Sequence, residues 1–234
     1  MRGVFITGSD VGVGKTVVGA ALTWHLSLQG RTVRPRKPME PDCAEWRGHS
    51  CPGDGETYRA ATGGREASEV ICCHRLGVPP PPRRAAASGH PMPGLDDLIR
   101  VCREGAGIED FLVVEGTGGF YSPLAGDVLN ADLAAALRFP VVVVSAARPG
   151  AIHQTLLTAD AVARRGLTLA GIVLNEAMPG RHDRAHNLRD LAHRLGCEPT
   201  IVPYCDTEGG APVWQAVAPH LATVAASLAA GAAG

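Results

Sequence analysis

The sequence carries no excess of charge of either sign. Its 22 Lys and Arg face 23 Asp and Glu, a formal net charge of −1 over 234 residues. That balance excludes a general electrostatic pull toward nucleic acid or an anionic membrane and leaves room only for a local cationic site. No run reads as long and apolar enough to cross a bilayer. The apolar start, Val4 to Ile6, is too short for a signal-peptide core and passes straight into a glycine-rich loop, so a cytoplasmic chain is expected. C-x-x-C pairs are also missing. The seven cysteines, Cys43, Cys51, Cys72, Cys73, Cys102, Cys197 and Cys205, are odd in number. This argues against zinc ligation and against a secreted disulfide framework, and for reduced structural thiols. What is present is a core: 45% hydrophobic and 19% charged residues suit a globular protein, and the length suits one large α/β domain or two small ones.

Apolar runs alternate with helical patterns along the whole chain. RGVFITG (2–8) reads as a short buried strand ending in glycine. From Lys15 to Leu28 apolar residues recur at helical spacing, and Gly30 is the expected stop. TVRPRKP (32–38) reads as a second strand, and Pro35 confines it to an edge or a short element. Residues 39–53 read as a loop and Glu56 to Ala61 as a helix. VPPPPRR (78–84) can be neither helix nor central strand, because its prolines lack amide donors. DDLIRVCREG (96–105) reads as helix, FLVVEG (111–116) and FPVVVVSAA (139–147) as unbroken apolar strands, 151–165 as helix and LAGIVLN (169–175) as strand. An amphipathic helix is expected over 182–195, a short strand over 198–204 and one Ala-rich closing helix over 213–229. Strands buried on both faces read as continuous apolar runs. Their alternation with helices, without a visible linker or repeat, predicts a single doubly wound, mostly parallel sheet with helices on both faces. Ligands in such sheets bind beyond the C-terminal strand ends. Gly8 to Thr16, Lys37, Glu115, Ser145 and Asn175 stand at those ends.

The stretch GSDVGVGKT (8–16) has the context of a phosphate-binding loop: a strand before it, an amphipathic helix after it. The usual pattern G-x-x-x-x-G-K-[ST] would place its first glycine at position 9, which is Ser9; Gly8 comes one residue early. Glycines let backbone amides turn toward phosphate oxygens, and the helix start adds unpaired N–H groups and its dipole. Lys15 would reach the terminal phosphates and Thr16 would hold Mg²⁺. A nucleotide site of this kind also needs an acidic metal partner. Glu115 ends an apolar strand, where a carboxylate without a partner would be costly, and Asp54 is the second acidic candidate.

Four segments together resemble one family, the dethiobiotin synthetases of the phosphate-loop NTPase superfamily. They are TGSDVGVGKT (7–16), KPMEPDC (37–43), VVEGTGGFYSPL (113–124) and LAGIVLNE (169–176), in family order and spacing over nearly the whole chain. The family loop shares the early glycine. The resemblance implies ATP- and Mg²⁺-dependent condensation of 7,8-diaminononanoate with CO₂ or bicarbonate, through a carbamate and a carbamic-phosphoric anhydride. It assigns Lys15 and Lys37 to catalysis, flanking the carbamate and γ-phosphate. It places Asp10, Val11, Gly12, Val13, Gly14, Lys15, Thr16, Val17, Glu115, Gly118, Asn175 and Pro203 around ATP, with Asn175 at the base edge. It puts the diamino acid against Lys37, Pro41, Gly118, Gly150, Ala151, Ile152 and His153, its carboxylate tail meeting a helix start across a homodimer interface. Thr16, Asp54 and Glu115 would bind Mg²⁺. Val11 stands where the family often has a hydroxyl residue, and Pro41 and Asp42 where it usually has Ser or Thr and then Gly; Arg83 and Arg84 have no counterpart.

Two other functions share the loop. A partition or maturation ATPase, a nucleotide-driven switch, would carry a further lysine near the loop start, where this chain has Ser9 and Asp10. A cobyrinic-acid-type amidating ligase would need a glutaminase domain beyond the end of this sequence. His182 and His186, four apart on an expected helix, lack the glutamate of an H-E-x-x-H metal motif, so a solvated basic face is expected there. His153, just inside a helix start, either donates to a carboxylate or packs.

Overall fold

The computed structural model describes residues 1–41, 53–76, 92–176, 184–206 and 210–231, and at 41, 76 and 184–188 the backbone alone. Asp42, Cys43, Cys51, the 78–84 run with Arg83 and Arg84, and His182 lie outside the described residues, as do the side chains of Pro41 and His186.

Six parallel strands form the central sheet. In chain order these are β1 (Arg2–Gly8), β2 (Val33–Arg36), β5 (Phe111–Gly119), β8 (Val141–Ala146), β9 (Leu169–Asn175) and β10 (Thr200–Val202). Their spatial order is β10-β9-β8-β1-β5-β2. From β1 the chain moves outward to β2 and returns to β5, then crosses to β8 and continues the other way. The switch point lies beside β1, where a crevice opens at the C-terminal ends of the strands. β2 is the edge strand, as Pro35 requires. Arg36, fully buried, anchors that edge. Its guanidinium donates to both Glu66 oxygens at 3.0 Å and to the Glu104 carbonyl at 2.7 Å. A bidentate, charge-assisted pair is the form in which a buried arginine is tolerated.

The period of two along each strand divides the core. Val4, Ile6, Val113, Val142 and Val144 face one layer, closed by α1 (Lys15–Leu28), α2 (Asp54–Ala61) and the C-terminal segment. Phe5, Leu112, Val114, Val141 and Val143 face the other, closed by α4 (Leu95–Arg103), α5 (Asn130–Leu137) and α6 (Ala151–Arg164). With about 1.5–3 kcal/mol gained per buried large aliphatic side chain, both faces of the sheet need cover, and the helices supply it. Ile172 and Leu174 of β9 form a smaller cluster with Leu191 of α7 (Arg184–Leu195). The described cysteines, Cys72, Cys73, Cys102, Cys197 and Cys205, are free thiols, and burial pushes the Cys102 thiol up to about 12.

Four expectations need correction. The loop expected from residue 39 begins instead as β3 (Met39–Pro41), paired in parallel with β4 (His74–Leu76). The helix expected from Glu56 begins at Asp54, with a one-turn α3 (Ser68–Ile71) after it. The closing helix is not continuous: α8 (Val213–Val217) and α9 (Ala222–Ala230) flank a 3₁₀ turn over Ala218–Leu221. Pro219 lies in that turn, and its missing N–H and its ring oppose a regular α-helix there. Finally, Val213–Ala230 does meet the length and composition of a membrane-spanning run, which the sequence reading found nowhere. Here part of that run is buried: Trp214, Val217 and Leu221 belong to the core, and Trp214 meets Trp24 of α1 edge-on, ring centres 5.8 Å apart. The sequence reading also passed over α5 and the hairpin of β6 (Pro123–Ala125) and β7 (Val128–Leu129).

Candidate active site

The loop between β1 and α1 turns on glycines. Gly12 and Gly14 have φ of 70° and 92°, in the left-handed region that favours glycine. A Cβ on Gly14 would also collide with the Asn175 amide. The early glycine has its own reason. A Cβ on Gly8 would lie 2.6 Å from the Asp10 carbonyl oxygen and 3.0 Å from Lys15 Nζ, inside normal contact distance. Gly8 therefore lets the lysine fold back over the loop, where its amine donates to the Asp10 carbonyl at 3.2 Å.

Two helix starts and two strands bring four charged groups and a hydroxyl together: Lys15 and Thr16 open α1, Asp54 opens α2, Lys37 follows β2 and Glu115 lies in β5. Thr16 Oγ1 lies 2.9 Å from Asp54 Oδ1 and 3.0 Å from Glu115 Oε1. Lys37 Nζ donates to Glu115 Oε1 at 2.5 Å, to the Gly116 carbonyl at 3.2 Å, and pairs with Asp54 Oδ2 at 3.0 Å. Lys15, Lys37 and Glu115 are buried. Two positive and two negative charges share a largely desolvated space, which is tolerable only because they compensate. Burial lowers the Lys15 ammonium, reinforced by the Lys37 charge, to about 8. Burial also opposes charge on Lys37, but Glu115 and Asp54 outweigh it and hold the ammonium above its ordinary value. Burial raises the Glu115 carboxyl against the pull of Lys37. For Asp54 burial is overcome by Lys37, and the carboxyl is lowered. These are the only two lysines in the sequence; the other 20 basic residues are arginines.

The oxygens of Thr16, Asp54 and Glu115 converge as a hard donor set, suited to Mg²⁺ rather than to a thiophilic metal. No cluster of three His, Cys, Asp or Glu that could hold a metal stands among the described residues. Two carboxylates and a hydroxyl fit an ion that draws its remaining ligands from phosphates and water.

The remaining expected residues fall around this centre. Gly14, Val17, Asn175 and Pro203 line one cavity of about 210 Å³, with Glu176, Tyr204, Asp206, Val213 and others. The Asn175 amide nitrogen donates to the Val13 carbonyl at 3.0 Å, so it also props the phosphate loop. Gly118, φ 76°, turns the chain beside Val11, which is itself exposed. On the other side of β1, Ser9 donates to Ser145 at 2.9 Å, and Arg148 pairs with Asp10 at 2.8 Å. These contacts tie the phosphate loop to the start of α6, where Gly150 (φ 88°), Ala151, Ile152 and His153 lie. His153 is exposed on the single chain. The Pro41 backbone ends β3.

Sequence reasoning missed several supporting residues. Glu40 accepts the Asp54 backbone N–H and so fixes the start of α2. Asn130 pins the turn after Glu115. Its Nδ2 donates to the carbonyls of Thr117, Gly119 and Ser122 at 2.7, 3.1 and 2.8 Å, and its Oδ1 accepts the Thr117 N–H at 2.8 Å. Tyr58 donates to Glu115 Oε2 at 2.8 Å. No spacing marked it: the helix was expected only from Glu56, which left Asp54 outside it, and Glu115 is 57 positions away in the chain.

A glycine loop wrapped on a helix start, with Lys-Thr facing a carboxylate from a parallel strand and another from a helix start, defines a phosphate-loop nucleotide-binding protein. Residues 2–203 match the family described as an AAA domain. The fold is similar to that of the Pyrococcus furiosus cell-division ATPase MinD (TM-score 0.54, 15% identity, 98% of both chains). It is similar also to the MinC:MinD complex of Aquifex aeolicus (TM-score 0.58, 12% identity, 98% of this chain and 96% of that one). At such identities the likeness concerns the fold alone. Sequence relatives are much nearer. The ATP-dependent dethiobiotin synthetase of Anaeromyxobacter dehalogenans is 41% identical over 181 residues, 76% of this chain and 78% of the relative. That of Ruthia magnifica is 36% identical over 179 residues, 76% and 82% of the two. The chain belongs to the dethiobiotin synthetase family.

Proposed function

We propose that this protein joins 7,8-diaminononanoate and CO₂ into dethiobiotin, with ATP converted to ADP and phosphate in the presence of Mg²⁺. The observation that carries this reading is the convergence of Lys15, Lys37, Thr16, Asp54 and Glu115 on one point beyond β1, in a member of this family.

In this reading one substrate amine attacks CO₂, forms an N–C bond and sheds a proton, giving a carbamate. A carbamate oxygen attacks the γ-phosphorus, and the bond to the ADP oxygen breaks. The second amine then attacks the carbamoyl carbon and gives up a proton, the C–O bond to phosphate breaks, and the ureido ring closes with phosphate released. No side-chain nucleophile is needed; positioning and charge neutralisation carry the rate. Lys37, kept charged by its two carboxylates, neutralises the carbamate and the oxygens of the transferring group. Lys15 does so from the loop side, and the amides of Asp10 to Val17 hold the remaining phosphates. A divalent cation held by Thr16, Asp54 and Glu115 would supply further positive charge against the phosphates. Lys37, whose present partners are those two carboxylates, would then be free to face the substrate, while Lys15 rests on the Asp10 carbonyl. Asn175 and Pro203 take the base.

Gly118, Pro41 and the start of α6 from Gly150 to His153 form the diamino acid side. The helix N-terminus there receives the substrate carboxylate, supplied across a homodimer interface. The chain acts as one ATP-binding domain, in the cytoplasm, with no nucleic acid or membrane partner. The test is ADP release in a coupled assay. ADP should appear only when diaminononanoate and bicarbonate are both added. Release that is indifferent to diaminononanoate at saturating ATP would overturn the assignment.

A further inference from the structure

Both oxygens of Glu115 are in use, and they do different things. Oε1 faces the site and receives Thr16 and Lys37. Oε2 points away from it and receives the Tyr58 hydroxyl at 2.8 Å. Tyr58 is fully buried and lies within an otherwise apolar layer beside Ile6, Val18 and Ala61. A phenol placed in such a layer needs a partner for its hydroxyl, and Glu115 is that partner. Burial and the Glu115 charge hold the phenol well above its ordinary pKa, so it stays a donor.

A second observation, from another helix, shows that room is kept for this phenol. Gly19 lies in the interior of α1, where its φ is not positive and glycine is a poor helix former beside alanine. A Cβ there would overlap the Tyr58 hydroxyl oxygen and lie 2.9 Å from its Cζ. The helix thus carries its least favourable ordinary residue at the point where the phenol passes. Without a donor on Oε2 the carboxylate plane is free to turn, because the terminal sp³–sp² torsion of a glutamate is broad. Lys37, already 2.5 Å away, could then draw on both oxygens.

We propose that Tyr58, admitted by Gly19, is a positioning residue that pins the outer oxygen of Glu115 and so presents the inner oxygen to Thr16, Lys37 and the divalent cation that accompanies ATP. The inference rests on the reading of Thr16, Asp54 and Glu115 as the metal site. It belongs with the outer-layer partners that orient ligating carboxylates, whose removal typically weakens metal affinity by roughly 10- to 100-fold.

The experiment is Tyr58→Phe, which keeps the ring and removes the donor. Mn²⁺ binding in the presence of ADP is followed by electron paramagnetic resonance, beside ADP binding without metal. The expected result is Mn²⁺ affinity about tenfold weaker, metal-free ADP affinity unchanged, and a higher Mg²⁺ requirement with kcat at saturating Mg²⁺ largely kept. Mn²⁺ affinity within twofold of wild type, in a variant that melts as wild type does, overturns the proposal. If wild type itself takes up no Mn²⁺ with ADP, the metal-site reading fails and the clamp falls with it. Should the variant not fold, wild type labelled with fluorotyrosine decides. Only three tyrosines are present, and the buried resonance of Tyr58 should shift when Mg²⁺ is added to the ADP complex. No shift overturns the proposal.

Discussion

Lys15 and Lys37 bear the same chemical group a short distance apart, and their surroundings drive them in opposite directions. Lys37 is held by two carboxylates, whereas among the described residues Lys15 has only the Asp10 carbonyl as a hydrogen-bond partner. The consequence for pH is one-sided. The folded Lys15 loses its proton near 8 rather than at its ordinary 10.5, so burying it charged costs stability below about 8, and that cost fades between 8 and 10.5. For function the sign reverses, because the charge is wanted. The value of kcat/KM for ATP, which reads the free enzyme, should fall as pH rises through about 8. The kcat profile should bend at higher pH, since bound phosphates favour the ammonium. A kcat/KM profile flat to pH 9.5 would show that Lys15 is not the group that senses ATP. At this scale the sequence was readable wherever a residue acts through its neighbours in the chain. Gly12, Gly14, Lys15 and Thr16 could be placed from one loop. Tyr58 could not, because its partner is 57 positions away.

Elements differ in how openly their residues announce them. β8 and β9 are apolar on both faces and read as strands at once. β3 does not, being three residues long and ending in proline. α5 is short and nearly all apolar, without the polar stripe that marks an amphipathic helix, so periodicity is silent about it. Yet its first residue, Asn130, does more for the site than most of the loop. The turn after Glu115 leaves three carbonyls and an amide to be satisfied in a half-buried place, and this one side chain meets all four. Asn130→Ala should lower stability by about 1–3 kcal/mol: the Thr117 N–H and the Thr117 and Gly119 carbonyls lose this partner in a half-buried turn where water restores part of the loss, while the Ser122 carbonyl keeps the Asn130 N–H. Urea unfolding gives the value; a loss below about 0.5 kcal/mol would mean that the turn holds itself.

At the scale of the whole molecule, the doubly wound sheet followed from strand–helix alternation, whereas the strand order and the switch point beside β1 had to come from the structure. What alternation could not supply is a partner for the helix start at Gly150. If, as proposed, that start serves the acceptor of a neighbouring protomer, the protein should be a dimer whether or not nucleotide is present. Light scattering should give the dimer mass equally in apo and ATP-bound samples. Dimerisation only with ATP would favour the nucleotide-driven switch instead. The placement of the two lysines reaches beyond catalysis. Every other basic side chain outside histidine is a guanidinium, which keeps its proton at any pH where the protein folds. The chain has in effect been cleared of side-chain amines except beside the phosphate loop. A nitrogen-labelled lysine sample would therefore yield a spectrum of two ammonium signals, one for each buried cation of the proposed site, with no exposed lysine to mask them.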